Sequence, residues 1–362
     1  MSDKFYMQKA LALAARGKGR TSPNPMVGAL IVKGDKIIAA GYHRKAGTAH
    51  AEAAALKKAG PRAKGATLYI NLEPCCHTEK RTPPCTKAVI QSGIKEVVIA
   101  MIDPNPKVAG KGLKELRKAG IKTRTGIMKA AAQKLNEVFI KHITRKKPFV
   151  ILKIAQSLDG KIATARGESK WITGPEARER VHKLRNEVDA LLVGIGTVKK
   201  DNPSLDCRIR GGKNPYRIIV DSRLQIPLNS RVLKHDDGKT IIATTGKADK
   251  MKLASLKQRG TRVLVIRDKA GRVGLNSLMN ELNRLGITSV MIEGGSSIAA
   301  SALSDRIVDK VMFFTAPKII GGIDAVPSVG GNSPTLLKNA IKLKDMQTVK
   351  LGEDILIEGY IA

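Results

Sequence analysis

Aromatic side chains make up only 3% of this 362-residue chain, with a single tryptophan, Trp171. Aliphatic residues must then fill any core, which the 42% hydrophobic content permits. The stacking platforms that grip single-stranded nucleic acid are nearly absent. Long hydrophobic runs are missing as well. No stretch approaches the roughly 20 apolar residues of a bilayer-crossing helix, and the opening Met1 to Tyr6 has no apolar signal core. A cytoplasmic protein that does not enter a membrane is expected. Cysteine is limited to Cys75, Cys76, Cys85 and Cys207. Three of these fall within eleven positions, which argues against a distributed disulfide framework and for metal binding. Negative charge is short: 31 acidic against 65 basic side chains leave a formal net charge of +34. Such a potential draws nucleic acid, anionic membranes and phosphorylated metabolites alike. The lysines are dispersed (Lys33, Lys57, Lys95 and Lys114 among them) rather than gathered in one arm. The charge suits an anionic substrate without naming one, and a solvated lysine-rich surface accounts for it equally.

The chemistry that the chain does carry is concentrated between His50 and Cys85. His50-Ala51-Glu52 is followed by Pro74-Cys75-Cys76 and by Pro83-Pro84-Cys85. One imidazole and two thiolates make three zinc ligands and leave the fourth tetrahedral position to water, the mark of a catalytic rather than a structural site. Zinc acidifies that water to a pKa of roughly 7. Glu52, two residues after the histidine, is placed to shuttle its proton without binding the metal, as in the zinc nucleobase deaminases. A structural zinc is the plainer alternative. Only one of the adjacent Cys75 and Cys76 can pair with Cys85. Cys75 directly follows Glu73-Pro74 and is favoured, with Cys76 packing beside it. His43 and His77 are possible further ligands, each more naturally a neighbour of the site.

The length suits two domains. The charged, proline-stopped Thr144-Arg145-Lys146-Lys147-Pro148 sets the boundary, giving residues 1–146 and 147–362. In the first, the pattern predicts a helix over 3–17, a hairpin of 27–32 with 36–42, and a helix from His50 to Gly60-Pro61. A strand at 67–71 and a helix over 84–92 come next, then strand, helix and strand at 96–101, 112–119 and 122–125. One helix over 126–143 closes a three-layer α/β domain. His50 and Glu52 then sit at one helix N-terminus and the thiolates at another, whose positive ends lower thiol pKa. In the second domain strands are expected at 149–155, 190–194, 217–221, 240–244, 262–266, 289–293 and 311–315. Helices are expected at 175–186, 275–285 and 296–303, with a hairpin over 346–360.

This second half says little by itself. Glu293-Gly294-Gly295-Ser296-Ser297 joins an apolar strand to a helix. It could hold phosphate on backbone N–H groups or be a plain tight turn. A Gly-x-Gly-x-x-Gly fingerprint after the first strand is absent, so a Rossmann site is unsupported. Lys153 interrupts an apolar strand. It is either an edge lysine or a buried one in need of a partner.

Taken together, several segments resemble the bifunctional riboflavin-biosynthesis deaminase/reductases. In the first half these are Thr21-Ser22-Pro23-Asn24-Pro25-Met26-Val27-Gly28, Gly41-Tyr42-His43 through His50-Ala51-Glu52, and Glu73-Pro74-Cys75 through Thr82-Pro83-Pro84-Cys85. In the second they are Lys153 to Lys161, Ser169 to Thr173, Asp201-Asn202-Pro203 and Glu293-Gly294-Gly295. The resemblance implies a cytidine-deaminase-like domain followed by a dihydrofolate-reductase-like one. It implies zinc on His50, Cys75 and Cys85, with Glu52 catalytic and Asn24 on the substrate. It implies NADPH against Ala155, Trp171, Thr197, Asp201, Ser222 and the run Gly295, Ser296, Ser297, Ile298, Ala299, Ala300 and Ser301. Ser169, Arg185, Leu205, Arg208 and Glu293 would bind substrate, with Lys153 near the sugar carbon. The forks of Arg185 and Arg208 suit a ribose phosphate. Cys207 reads as a small polarisable filler. The implied reactions are deamination of 2,5-diamino-6-ribosylamino-4(3H)-pyrimidinone 5′-phosphate and then reduction of its ribosyl to a ribityl chain. The implied partner is that phosphorylated pyrimidine, with a homo-oligomer expected and no nucleic acid. The family commonly spaces its ligand cysteines by nine positions. Here Cys75 to Cys85 is ten and Cys76 to Cys85 is nine. The rival reading is an RNA-editing zinc deaminase with a basic C-terminal binding domain. The wide cysteine spacing argues against it, since editing enzymes carry a tight Pro-Cys-x-x-Cys.

Overall fold

The computed structural model describes residues 1–77 and 83–362 and divides the chain into two compact units, Met1–Lys146 and Lys147–Ala362. In the first unit the order is α1 (Asp3–Ala15), β1 (Gly28–Lys33), β2 (Lys36–Tyr42), α2 (Ala51–Ala59), β3 (Thr67–Leu72) and α3 (Cys85–Gln91). Then come β4 (Glu96–Met101), α4 (Lys111–Lys118), β5 (Lys122–Thr125), α5 (Lys129–Leu135) and α6 (Glu137–Arg145). The sheet runs β2-β1-β3-β4-β5. β1 is antiparallel to both neighbours, and β3, β4 and β5 are parallel. Helix α2 packs on β2 and β1 and leads to α3 and α4 on one face, while α1 and α5 meet on the other. Two glycines allow this close stacking. A Cβ on Gly28 would stand 2.2 Å from the Ala10 carbonyl oxygen of α1, and one on Gly41 would stand 2.5 Å from the Ala51 carbonyl oxygen of α2. The core is aliphatic, built on Leu30, Ile31, Leu68, Ile70 and Ile99.

One expectation fails here in detail. The single helix over 126–143 is two helices broken at Asn136, whose backbone leaves helical geometry (φ −106°, ψ 22°). Its amide turns aside to bond both the N–H and the C=O of Met26, at 2.8 and 3.0 Å. Buried Asn71 also accepts from Gly28 and donates to Met26. Two asparagines thus clamp the loop that carries Asn24, at the expense of one continuous helix.

The second unit follows with β6 (Phe149–Ser157), β7 (Lys161–Ala163), α7 (Pro175–Glu187), β8 (Ala190–Gly194), α8 (Ile195–Asp201), β9 (Tyr216–Val220), β10 (Thr240–Thr244), α9 (Lys250–Gln258) and β11 (Arg262–Val265). A two-stranded ribbon, β12 (Asp268–Lys269) and β13 (Arg272–Val273), precedes α10 (Leu275–Arg284), β14 (Ser289–Glu293), α11 (Ser296–Ser304) and β15 (Lys310–Ala316). The chain ends with β16 (Val326–Pro327), β17 (Leu343–Leu351) and β18 (Asp354–Ile361). Nine strands form one sheet in the order β11-β10-β9-β8-β14-β6-β15-β18-β17. It is parallel from β11 through β15 and antiparallel at β18 and β17. Strand β6 lies inside this sheet, between β14 and β15, so Lys153 is not an edge lysine. Helices α8 and α9 and strand β7 were not anticipated from the pattern. Among the described residues no helix is long and apolar enough to cross a membrane.

Candidate active sites

In the first unit His50 is the N-cap of α2 and Cys85 opens α3. Cys75 lies in the loop after β3, not at a helix N-terminus as expected, and its carbonyl oxygen accepts from the Thr86 N–H of α3. The His50 Nδ1 stands 3.2 Å from the Cys85 Sγ and 3.6 Å from the Cys75 Sγ, and the three atoms lie within 4.8 Å of one another. Zinc bonds of about 2.3 Å to sulfur and 2.0–2.1 Å to nitrogen, at a tetrahedral angle, require an N···S edge of about 3.6 Å. The residues present fit a zinc ion. Among the described residues this cluster holds three ligands, with Cys75 and not Cys76 in it. The Cys76 thiol is pushed up by burial and by the nearby Glu115 and Glu73 charges. His43 and His77 are also outside the cluster. His43 Nδ1 faces the Ala49 carbonyl at 3.2 Å and must donate to it. Its Nε2 therefore accepts from the Asn24 amide, also at 3.2 Å. Thr82, part of the second Pro-Cys element, lies outside the described residues.

Glu52 is 4% exposed and sits in the first turn of α2. Burial raises its carboxyl above the usual range and the Cys75 charge adds to this, while His50 and a hydrogen bond with Cys85 oppose it. It is thus a buried carboxyl beside the cluster and outside the ligand set.

Two acidic residues were missed as parts of this site. Buried Glu73 accepts from the backbone N–H groups of Asp103, Gly110 and Leu113 at 2.9–3.1 Å. It pins the Pro74-Cys75 turn to the start of α4, where Gly112 leaves room for the Pro74 carbonyl oxygen. Asp103, 6% exposed and just past β4, is pushed up to about 6, chiefly by burial. An acid directly after an apolar strand was the available signal for it.

In the second unit a cavity of about 1030 Å³ opens at the carboxyl ends of β6, β8 and β14, where open α/β sheets bind ligands. Lys153 and Glu293 are register neighbours on β6 and β14 and both line it. Burial lowers the Lys153 pKa, with Glu293 opposing, and the ammonium lies 5.7 Å from the Phe314 ring centre. Glu293 receives the fork of Arg185, Nε to Oε1 and Nη2 to Oε2, both at 2.8 Å. Burial alone would raise the Glu293 carboxyl, but Arg185 and Lys153 hold it down at about 2. Arg185 also donates to the Asp206 carbonyl. Its fork is therefore spent on Glu293, against the expectation that it suits a ribose phosphate. Arg208 is the more exposed of the two, and Asp206 pairs with it at 3.3 Å.

Ser169 and Leu205 also line the cavity, as do Ala155, Trp171, Thr197 and Asp201. Of the run after Glu293, Gly295, Ser296, Ser297 and Ile298 reach it. Ala299, Ala300 and Ser301 are not among the lining residues, because helical rotation turns Ala299 into the core and Ser301 back onto the Ser297 carbonyl. Ser222 is not at the cavity either; its hydroxyl accepts from Val273. The Gly294-Gly295 turn suits an anionic cofactor group. A Cβ on Gly294 would stand 3.1 Å from the Ile298 side chain, and the buried Ser296 hydroxyl, at the N-terminus of α11, has no hydrogen-bond partner among the described residues.

Arg178 and His182 were missed. They line the cavity with Arg185 from one face of α7. The signal was present: three basic groups at i, i+4 and i+7 of a helix that begins at Pro175. The His182 Nδ1 accepts from the Arg208 N–H at 3.4 Å, and burial with the Arg185 and Arg208 charges lowers its pKa.

Comparison with known proteins matches both units. Residues 1–101 match the cytidine and deoxycytidylate deaminase zinc-binding region, and residues 148–357 match the RibD C-terminal domain. The riboflavin biosynthesis protein RibD of Aquifex aeolicus is 45% identical over 98% of this chain and 97% of its own. The fold of Acinetobacter baumannii RibD superposes with a TM-score of 0.90 at 37% identity, covering 99% of each chain. A Thermotoga maritima diaminohydroxyphosphoribosylaminopyrimidine deaminase/5-amino-6-(5-phosphoribosylamino)uracil reductase gives 0.86 at 37%, with the same coverage. The second half is thus matched as a reductase domain rather than as a basic nucleic-acid module, which removes the RNA-editing alternative. The chain belongs to the RibD family and is a bifunctional deaminase and reductase of riboflavin biosynthesis.

Proposed function

We propose that the first unit removes the amino group of 2,5-diamino-6-ribosylamino-4(3H)-pyrimidinone 5′-phosphate by hydrolysis and that the second reduces the ribosyl side chain of the product to ribityl with NADPH. One observation carries the first half: His50, Cys75 and Cys85 gather their ligand atoms within 4.8 Å of one another, a spacing a zinc ion can bridge, with the buried Glu52 carboxyl beside them and outside the ligand set. When bound, zinc supplies a Lewis acid that makes water nucleophilic at neutral pH. Glu52 takes one proton from the attacking water and passes it to the ring nitrogen, then takes the second from the added hydroxyl and passes it to the departing amine, which leaves as ammonia. His43 holds Asn24 toward the substrate, and the two asparagine clamps on Met26 fix that loop.

In the second unit bound NADPH would supply the hydride. The Gly294-Gly295 turn, Ser296 and Thr197 would hold its anionic portion, with Trp171 at the cavity wall. Lys153, half-buried beside Glu293, would donate hydrogen bonds to the sugar. Arg185 keeps Glu293 ionised, and Arg208 is left for the substrate phosphate. These contacts would serve to hold the sugar carbon against the nicotinamide for transfer. The test is a coupled assay. The purified chain, given the diaminopyrimidine phosphate and NADPH, should release ammonia first and consume NADPH afterwards. NADPH oxidation without prior ammonia release would contradict the order, and neither reaction would contradict the assignment.

A further inference from the structure

The loop between β6 and β7 holds a carboxylate that neither proposed reaction uses. Asp159 is exposed, yet its two oxygens are fully engaged. Oδ1 accepts from the Ser157 hydroxyl at 2.6 Å and from the Ile320 N–H at 3.1 Å, and Oδ2 accepts from the Gly321 N–H at 2.8 Å. The Ser157 hydroxyl first, then the two amides, hold this carboxyl down at about 2. Successive N–H groups can converge on one carboxylate only if the chain turns back on itself, and Gly321 supplies the turn at φ +68°. The same loop is tied a second time, by the Leu158 N–H to the Lys318 carbonyl at 2.7 Å.

Lys318 leads from this anchor to the cavity. Its ammonium donates to the carbonyl oxygen of Trp171 at 3.1 Å, across 147 positions of chain. Trp171 lines the cavity, is 61% exposed, and has the Arg178 guanidinium 4.8 Å from its ring centre. An indole so exposed is not fixed by packing. Its place depends on its backbone, which the Lys318 ammonium fixes from one side, and on Arg178 from the other.

We propose that Asp159 is a positioning residue for the wall of the reductive cavity. By gathering the Ile320 and Gly321 amides it orients Lys318, and Lys318 sets the backbone of Trp171. The proposal rests on the reading of that cavity as the NADPH site. A carboxylate is required because both oxygens must accept, and an amide would turn an N–H donor toward one of the three donors. Charge also strengthens each bond.

Because Trp171 is the only tryptophan, its emission reports this wall in the whole chain without any ligand. Asp159→Asn should shift the emission maximum and weaken NADPH binding, read by quenching of Trp171, about three- to tenfold, with KM for NADPH rising more than kcat falls. Lys318→Met, at an exposed position, should reproduce both changes, and Lys318→Arg should restore most of the affinity. Three results would overturn the proposal: unaltered emission and affinity in Asp159→Asn; a lowered melting temperature alone; or effects in Asp159→Asn that Lys318→Met does not share. Failure of the parent chain to quench with NADPH would sink the cofactor reading instead, while the ligand-free emission of the variants still decides the relay.

Discussion

In the first unit the four side chains proposed to carry the reaction come from between residues 50 and 85, and three of them converge on a single point. In the second, Lys153, Arg185, Arg208 and Glu293 are drawn from four separate elements around a wide cavity, and several contacts proposed for the cofactor are backbone or small side chains. The difference follows from what each unit must hold. A small metal ion dictates donor type, distance and angle, so its site is compact and chemically conspicuous. A large dissociable cofactor is held by glycine turns and helix ends, which any fold can supply. The exacting parts are a few charges whose states are set by their neighbours. Damage to the two units should therefore differ in kind.

The largest effect is expected from Glu52→Gln. Loss of the proton shuttle should slow ammonia release by roughly 10²–10⁴-fold, while zinc content and NADPH oxidation of the already deaminated substrate stay at the level of the parent chain. Zinc depletion should do the same to the first activity alone. A matching loss of reductase activity in either experiment would mean that the two sites are not separate.

Arg185→Ala attacks the second unit through stability. It leaves Glu293 buried without its fork and should cost about 3–5 kcal/mol, read as a lower urea midpoint of Trp171 emission. The pH dependence sharpens this. Glu293 has a folded pKa of about 2 against 4.5 for the free group, so its ionised form stabilises the fold fully above about pH 4.5. That contribution is lost as pH falls toward 2. Glu293→Gln should flatten the urea midpoint across this window, and an unchanged slope would remove the carboxylate from the account.

Lys153→Met should lower the reductase rate about 10²-fold with little change in ammonia release or in the affinity for NADPH. The smallest effect is expected from Gly41→Ala. The added Cβ meets the backbone of α2, so a cost of about 1–3 kcal/mol and a partial loss of ammonia release are expected, with the reductase untouched. An intact deaminase in this variant would show that the placement of α2 tolerates more than the packing implies.

The same contrast explains what could be read in advance. Most strands were legible because their apolar runs end at glycine, proline or charge, and six of them, Lys36–Tyr42, Glu96–Met101, Lys122–Thr125, Ala190–Gly194, Thr240–Thr244 and Ser289–Glu293, have the expected bounds. The break at Asn136 was not legible, since its cause is a contact with Met26, far away in sequence. The zinc residues stood out because histidine and cysteine at that spacing have few other uses. Choosing between Cys75 and Cys76 needed distances. The Lys153–Glu293–Arg185 triad was invisible to periodicity, because strand register and helix facing, not sequence proximity, bring it together. The resemblance located its members, but only the structure showed that the guanidinium faces the carboxylate. It also showed that a run such as Gly295 to Ser301 cannot all face one ligand once it is helical.

The most direct test of the central claim is an anomalous-difference map at the zinc edge on crystals of the full chain. The account predicts one peak in the first unit, about 2.3 Å from the sulfurs of Cys75 and Cys85 and about 2.0 Å from the His50 Nδ1, with Glu52 outside the coordination sphere. A peak held by Cys76 in place of Cys75, or closed by a fourth protein ligand, would contradict it.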